Sequence, residues 1–314
     1  MKIVFFGTSE FAIPAFRELL SSRHKVLALV SQPDRKRGRR LKVSPPPTKV
    51  LALARDIKVY QPENASGYET VDYLKKLEAD LFVVVSFGQI LKKTVLALPK
   101  SYSINLHGSL LPKYRGAAPT NWAIINGDTS SGVTIIKMNE RLDEGDIISK
   151  KDLEIDQEDT NITLSEKLSE IGARLLLEAM DSIENGKATF EKQDEALATY
   201  APKLKKEDAL IDWKEPARVI RNKVRGFIPW PGAYTYSGKK ILKVWSTEIS
   251  DVKGQDPASP GEVIGIVKNK GILVQTGSGS LAITHLQAEG KNILDADSFL
   301  RGHRIEKGYV FGVK

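Results

Sequence analysis

Two polar side chains that can act together on a carbonyl group stand two positions apart in SINLHGSLLPKYRGAAP, residues 103–119. Ile104 and Leu106 fit the buried face of a strand, so Asn105 and His107 are predicted to share its opposite face. An amide and an imidazole placed in this way can donate hydrogen bonds to one developing oxyanion, and the imidazole can also move protons. The spacing leaves a plainer alternative open, an asparagine at a strand edge and a histidine satisfied by nearby backbone.

A cluster of acidic residues follows in LDEGDII, with Asp143 36 positions after His107 and with Glu144 and Asp146 beside it. A carboxylate from this segment can orient the imidazole and favour its charged form. Asp143 is the candidate for that role. Acidic residues around a glycine in a turn are also ordinary solvated loop residues, and the sequence pattern alone does not decide between the two.

The segment DRKRGRRLK, residues 34–42, is strongly basic. Its cations are too dense for a packed core and favour a loop that orders on a phosphate backbone. A merely solvated loop is the alternative. The C-terminal part is also basic, with 18 Lys and Arg against 12 Asp and Glu in residues 205–314.

Alternating strands and helices form the predicted framework that positions these residues. Short apolar runs at residues 2–6, 26–30, 79–85, 103–106 and 133–138 predict strands, and the pattern between 162 and 183 predicts a helix with one buried face. Such an order predicts an α/β fold with a Rossmann-like, mostly parallel sheet. Because the first strand is followed by Gly7 alone, the three-glycine dinucleotide fingerprint is absent and an NAD-dependent enzyme is not expected.

The pattern changes after about residue 205, where one helix (215–225) precedes several short strands separated by Gly, Pro, Ser and Asp. These strands favour a small OB-like β-barrel. We therefore predict a catalytic domain at 1–189, a linker at 190–207 and a C-terminal domain at 208–314. Aromatic residues of FIPWPGAY lie among the cations of that domain, where they either stack on nucleic-acid bases or pack in its core.

Composition is that of an ordinary globular protein, with 314 residues, 41% hydrophobic, 27% charged and a net charge of +8. There is no cysteine, which excludes disulfides and thiolate chemistry and fits a reducing compartment. No apolar run approaches the roughly 20 residues of a membrane span. The N-terminal sequence MKIVFFGTSEF lacks the pattern of a signal peptide. A cytoplasmic protein that does not contact membranes is expected.

These motifs resemble the methionyl-tRNA formyltransferases, a family within the folate-dependent formyltransferases. The similarity runs nearly end to end, through FFGTSEFA, QPDRKRGRR, VVVSFGQIL, INLHGSLLPKYRGAAPTNWAI, GVTIIKM, LDEGDII, TYAPKL, IDW, FIPWPGAY and KVW. The stretch from Asn105 to Pro119, with LDEGDII after it, is shared by the wider group. The arginine-rich loop and the C-terminal barrel point to the tRNA enzymes.

The resemblance implies roles for particular residues. Asn105, His107 and Asp143 take the places of the catalytic trio, 10-formyltetrahydrofolate is the formyl donor, methionyl-initiator-tRNA is the acceptor, and no metal is required. The C-terminal domain is expected to bind tRNA, and the chain is expected to be a monomer. Folate contacts are implied for Ser109, Leu110, Leu111, Pro112, Gln89, Ile90 and Leu91, and tRNA contacts for Arg35, Arg37, Arg39, Arg40 and Lys42.

Two other functions compete with this one. A formyltransferase acting on an amino-sugar nucleotide or a purine precursor would keep Asn105, His107 and Asp143 but has no use for the basic loop. A non-catalytic RNA-binding protein on the same scaffold would not need the intact trio.

Overall fold

The computed structural model describes residues 1–37, 42–252 and 258–312. Its strands are β1 (Lys2–Gly7), β2 (Lys25–Val30), β3 (Arg35–Arg37), β4 (Lys42–Ser44), β5 (Val59–Tyr60), β6 (Leu81–Val85), β7 (Tyr102–His107), β8 (Arg115–Gly116), β9 (Ser130–Lys137), β10 (Asp146–Glu154), β11 (Tyr200–Ala201), β12 (Tyr234–Ser237), β13 (Lys240–Ser250), β14 (Val263–Val267), β15 (Gly271–Gln275), β16 (Ser280–Ala288) and β17 (Leu294–Asp295). Its α-helices are α1 (Ile13–Ser21), α2 (Pro47–Leu53), α3 (Tyr68–Lys76), α4 (Lys93–Leu96), α5 (Pro119–Ile125), α6 (Asn161–Glu184), α7 (Ala217–Gly226) and α8 (Ala296–Leu300). Short 3-10 helices cover Glu10–Ala12, Glu195–Leu197 and Glu207–Ala209.

The first compact unit consists of Met1–Pro119, Ser130–Glu154 and Ser165–Ala201. Its main sheet has the strand order β10-β9-β7-β6-β1-β2-β5. The pairs of β1, β2, β5, β6 and β7 are parallel, whereas β9 runs antiparallel to both β7 and β10. The predicted α/β, mostly parallel, Rossmann-like sheet is confirmed.

Packing on the two faces of this sheet decides where β7 presents its polar residues. All five residues of β6, LFVVV, are buried, as a strand covered on both faces requires. Leu106 lies on the face covered by α6, since a Cβ built on Gly172 of that helix would come within 2.8 Å of Leu106 Cδ1. Asn105 and His107 therefore point to the other face, because side chains alternate along a strand.

The second compact unit consists of Thr120–Thr129, Ile155–Leu164 and Pro202–Lys314. Its antiparallel sheet has the order β12-β13-β16-β15-β14, with β17 beside β16. The C-terminal segment reaches both outer strands of this sheet. Gly312 N donates to Tyr236 O of β12, and Val263 N of β14 donates to Tyr309 O. The segment thus joins the two edges, and the predicted small β-barrel is confirmed.

Aromatic side chains of FIPWPGAY differ in their exposure to solvent in this unit. Phe227 is 1% exposed, whereas Trp230 is 49% exposed. Phe227 therefore belongs to the interior, and of these two only Trp230 presents a ring to solvent.

Residues 190–207 do not form one separate element. Residues 190–201 belong to the first unit and 202–207 to the second, and the second unit also takes in 120–129 and 155–164. The assignment of a catalytic domain, a linker and a tRNA-binding domain stays a prediction. Among the helices that the structure describes, none combines the length and apolar composition needed to cross a bilayer.

Candidate active site

Asn105 and His107 lie in the last three residues of β7, where the strand enters a loop. They are 9% and 6% exposed, so each side chain keeps only a small contact with solvent. Within the described part of the chain, the Asn105 amide has no hydrogen-bond partner. An amide in an almost closed site without a protein partner is suited to donate to a bound ligand.

The backbone carbonyl of Tyr114 orients His107. His107 Nε2 lies 2.9 Å from this oxygen, which can only accept, so the proton must sit on Nε2. The other ring nitrogen, Nδ1, lies 3.6 Å from Asp143 Oδ2. This separation is an ionic contact and is too long for a hydrogen bond. In the imidazolium form both ring nitrogens carry a proton. Nδ1 can then donate a hydrogen bond to a ligand, while the Asp143 carboxylate balances the positive charge of the ring.

Asp143 reaches His107 because the connection between β9 and β10 folds back along the sheet. Lys137, at the end of β9, is level with Ile104, whereas His107 is level with Thr134. Asp143 adopts φ = 56°, and its Oδ2 accepts a hydrogen bond of 2.9 Å from Gly116 N. The carboxylate is thus held beside the imidazole by the loop that follows β7.

The SLLP segment is packed within its own loop. Ser109 and Leu111 are each 1% exposed, and Ser109 Oγ donates to Lys113 O at 2.6 Å. Thr134 Oγ1 donates to Ser109 O and accepts from Leu111 N. Of the four predicted folate contacts here, Leu110 and Pro112 are the ones with partly exposed side chains.

The predicted folate contacts after β6 differ in which of their groups are available to a ligand. Gln89 uses its amide to bind the neighbouring loop, with Ala65 N donating to Oε1 and Nε2 donating to Pro62 O. Ile90 is 74% exposed and Leu91 is buried. Among described residues, no hydrogen bond occupies the backbone N–H or C=O groups of Gln89, Ile90 and Leu91.

A cavity of about 460 Å³ lies between α4, which follows these residues, and the segment that leads to Asp143. Its apolar wall comes from Leu96, Ala97 and Met138. Sequence patterns gave no sign of it, because its two walls are more than 40 residues apart in the chain. The remaining lining residues are Lys93, Asn139, Glu140 and Arg141.

The basic segment begins as a short hairpin in which β3 pairs with β4. The acid at its start, Asp34, is bound by Lys49 Nζ at 2.8 Å, and this hydrogen bond lowers the pKa of Asp34. Arg35 is exposed and contacts Glu63 at 2.6 Å. The predicted tRNA contacts Arg37 and Lys42 pair across the hairpin, and Arg39 and Arg40 lie outside the described residues.

Arg115 and Gln193 form a network beside Asp143 that the sequence analysis missed. Arg115 is fully buried, and its guanidinium donates to both oxygens of Glu195 at 2.9 and 2.8 Å. These hydrogen bonds raise the pKa of Arg115 and lower the pKa of Glu195. Arg115 belongs to the YRG of the quoted motif, but Gln193 lies in the predicted linker, where the sequence gives no signal for it.

Residues of metal-binding type also meet away from this site. His24, Asp181 and Glu184 lie together, but Arg23 donates to both carboxylates at 2.8 and 2.7 Å. Burial lowers the pKa of His24, which favours a neutral ring. The arginine already balances these carboxylates, so the cluster does not support a metal. The expected absence of a metal requirement stays a prediction.

Comparison with known proteins identifies the chain. Residues 1–180 match the formyl transferase family, and residues 203–304 match the formyl transferase C-terminal domain. The methionyl-tRNA formyltransferase of Citrifermentans bemidjiense is 46% identical over 314 residues, which is 100% of this chain and 97% of that protein. The chain belongs to the methionyl-tRNA formyltransferase family. The resemblance stated from the sequence is confirmed, and the chain is a formyltransferase.

A second relative supports the assignment to the methionyl-tRNA formyltransferase family, and solved structures share the fold. The Geobacter sulfurreducens methionyl-tRNA formyltransferase is 46% identical over 312 residues, covering 99% of this chain and 97% of that protein. Among solved structures, HypX from Aquifex aeolicus matches with a TM-score of 0.67 at 18% identity, over 98% of this chain. The chain spans about half the length of HypX, 49%. An N-formyltransferase from Helicobacter canadensis matches with a TM-score of 0.66 at 20% identity, over 92% of this chain and 99% of that one. These two likenesses show the fold.

Proposed function

We propose that this enzyme transfers the formyl group of 10-formyltetrahydrofolate to the α-amino group of methionyl-initiator-tRNA, giving formylmethionyl-tRNA for translation initiation. The contact of 3.6 Å between His107 and Asp143, beside the unpartnered Asn105 amide, is the observation that carries the chemistry. The choice of acceptor rests on the full-length similarity to methionyl-tRNA formyltransferases. The cytoplasmic location and the monomeric state stay predictions.

Asn105 and His107 are assigned to the oxyanion. When the amine attacks the formyl carbon, a new N–C bond forms and the formyl oxygen gains negative charge. The Asn105 amide and the Nδ1–H of an imidazolium His107 donate to that oxygen from one face of β7. The Tyr114 carbonyl fixes the ring from the opposite nitrogen, Nε2, at 2.9 Å. Donors that are already oriented stabilise developing charge without reorganising.

Asp143 is assigned to charge balance and proton movement. The attacking amine loses a proton, and N10 of the folate gains one as its bond to the formyl carbon breaks. A carboxylate beside the imidazole can accept the first proton and return one to the leaving nitrogen. Its position, with Oδ2 held by Gly116 N at 2.9 Å, keeps it close to both events.

The connection between β9 and β10, residues 138–145, is called the Asp143 loop. The cavity beside it is assigned to the folate ring system. The apolar wall of Leu96, Ala97 and Met138 supplies a contact surface for the rings. Just before α4, Gln89, Ile90 and Leu91 have backbone groups that no hydrogen bond among the described residues occupies, and these are assigned to bind the polar edge of the folate. Small-molecule sites commonly combine an apolar lining with a few polar groups. The SLLP segment then acts through Leu110 and Pro112, while Ser109 and Leu111 hold the loop in place.

The substrate is tested by a direct comparison of acceptors. The purified enzyme is incubated with the formyl-folate and one of three acceptors: charged initiator tRNA, charged elongator tRNA or an amino-sugar nucleotide. Formyl transfer to methionyl-initiator-tRNA is expected. Formylation of the sugar alone would remove the tRNA assignment, and no transfer to any acceptor would favour a non-catalytic RNA-binding protein.

Neutralising Arg39 is expected to weaken use of tRNA through the loss of a phosphate contact. In Arg39→Ala the tRNA KM should rise, and the slope of log affinity against log salt should fall by roughly one unit. The measurement is a salt series of tRNA binding. Lys151→Ala is the matched control, because Lys151 is an exposed cation on β10 outside the basic segment. An unchanged tRNA KM in Arg39→Ala would remove the basic segment from the tRNA site.

A further inference from the structure

The side chain of Gln193 links the Asp143 loop to Arg115. Its Nε2 donates to two backbone carbonyls of that loop, Asp143 O at 2.7 Å and Gly145 O at 2.8 Å. Its Oε1 accepts from Arg115 Nε at 3.1 Å and from another guanidinium nitrogen at 2.8 Å. Both donors and the acceptor of the amide are therefore in use, which fixes the side chain in one orientation.

Arg115 anchors this amide to the loop that follows β7. The guanidinium is fully buried and also donates to both oxygens of Glu195, with Glu144 Oε1 3.6 Å away. Bidentate contacts of this kind define the direction of the planar group as well as holding it. The backbone of Arg115 is fixed too, since its N–H donates to Thr199 O at 2.9 Å. Gln193 thus joins the Asp143 loop to a rigid neighbour.

The backbone conformation of the Asp143 loop requires contacts that hold it in place. Asp143 stands in the left-handed region with φ = 56°, a backbone conformation that residues other than glycine adopt mainly where their surroundings hold it. Its carboxylate must also reach His107, although β9 ends at Lys137, which is level with Ile104 and not with His107. Gln193 binds the carbonyl of Asp143 itself, the group whose direction follows this backbone conformation.

We infer that Gln193 is a positioning residue of the active site, which sets the place of the Asp143 carboxylate beside His107 by binding the Asp143 and Gly145 carbonyls. The inference rests on the proposed role of Asp143. The segment that carries Gln193 then supports the catalytic residues from outside the site, although its sequence has the composition of a linker.

Two substitutions separate this role from a purely structural one. Gln193→Ala removes every contact, whereas Gln193→Glu keeps the acceptor for Arg115 and loses both donors to the carbonyls. If Gln193 positions Asp143, both variants lower kcat, by on the order of 10- to 100-fold, with little change in KM for either substrate. If Gln193 serves only to support Arg115, Gln193→Glu keeps the wild-type kcat, and the inference is overturned. Glu191→Ala is the matched control, because Glu191 is exposed and uses only its backbone to pair with Ile147.

A double-mutant cycle with Asp143 tests whether Gln193 acts through that residue. In an Asp143→Ala background, Gln193→Ala should cause little further loss of kcat, since the group that it positions is gone. Losses that multiply would show that Gln193 acts independently of Asp143 and would overturn the inference. A fully active Asp143→Ala would instead contradict the proposed catalytic role of Asp143, so the two failures are distinguishable.

Discussion

Replacing His107 by alanine is expected to lower single-turnover formyl transfer by on the order of 100-fold or more, while tRNA affinity stays nearly unchanged. The variant loses the imidazole whose Nδ1 lies 3.6 Å from Asp143 Oδ2 and whose Nε2 is held by Tyr114 O at 2.9 Å. Phosphate contacts usually dominate the affinity of proteins for nucleic acids, so removing one nearly buried ring is expected to remove little binding energy. Rapid-quench assays with enzyme in excess, together with a tRNA binding curve, measure the two quantities separately.

The same result is expected for Asn105→Ala and Asp143→Ala, for different reasons. Asn105→Ala deletes the amide that has no partner among the described residues, and Asp143→Ala deletes the carboxylate bound by Gly116 N. A variant that keeps close to the wild-type single-turnover rate would show that its residue has been given the wrong role. A rate loss accompanied by an equal loss of tRNA affinity would point to damage in binding rather than in chemistry.

Substituting Gly145 by alanine should disturb both stability and turnover, with no titratable group changed. A Cβ on Gly145 would overlap the backbone oxygen of Lys137 and lie 2.9 Å from its carbonyl carbon. A backbone neighbour cannot swing aside, so the β9–β10 pair or the Asp143 loop must shift. Overpacking of this kind costs about 1–3 kcal/mol. A displaced Asp143 is expected to lower kcat by on the order of 100-fold.

Gly265→Ala is the control for this substitution. The nearest heavy atom to a Cβ at Gly265 is Leu273 Cδ1 at 3.7 Å, an ordinary contact, so activity and thermal stability should change little. Thermal unfolding and kcat are measured for both variants. A Gly145→Ala enzyme with wild-type stability and wild-type kcat would show that the Asp143 loop does not depend on the close approach at Lys137.

Local pattern was enough to predict the strand that carries the chemistry. Alternation along β7 placed Ile104 and Leu106 on one face, with Asn105 and His107 on the other, because the side-chain period of a strand is fixed by its backbone. Continuous apolar runs likewise identified the buried strands of the main sheet. The reversed direction of β9 was not predicted, since periodicity carries no information about direction.

The sequence by itself determined the strand faces, the mostly parallel sheet, the barrel and, through its motifs, the family. Only the tertiary structure decided how the Asp143 loop turns back to His107, and that the Tyr114 carbonyl rather than the Asp143 carboxylate makes the orienting hydrogen bond. It also brought Gln193 to Asp143 across 50 residues. The physical reason is that hydrophobic periodicity and intrinsic propensity describe only the local conformation of a few consecutive residues. The path of a loop depends instead on contacts that form only when distant segments of the chain have packed together.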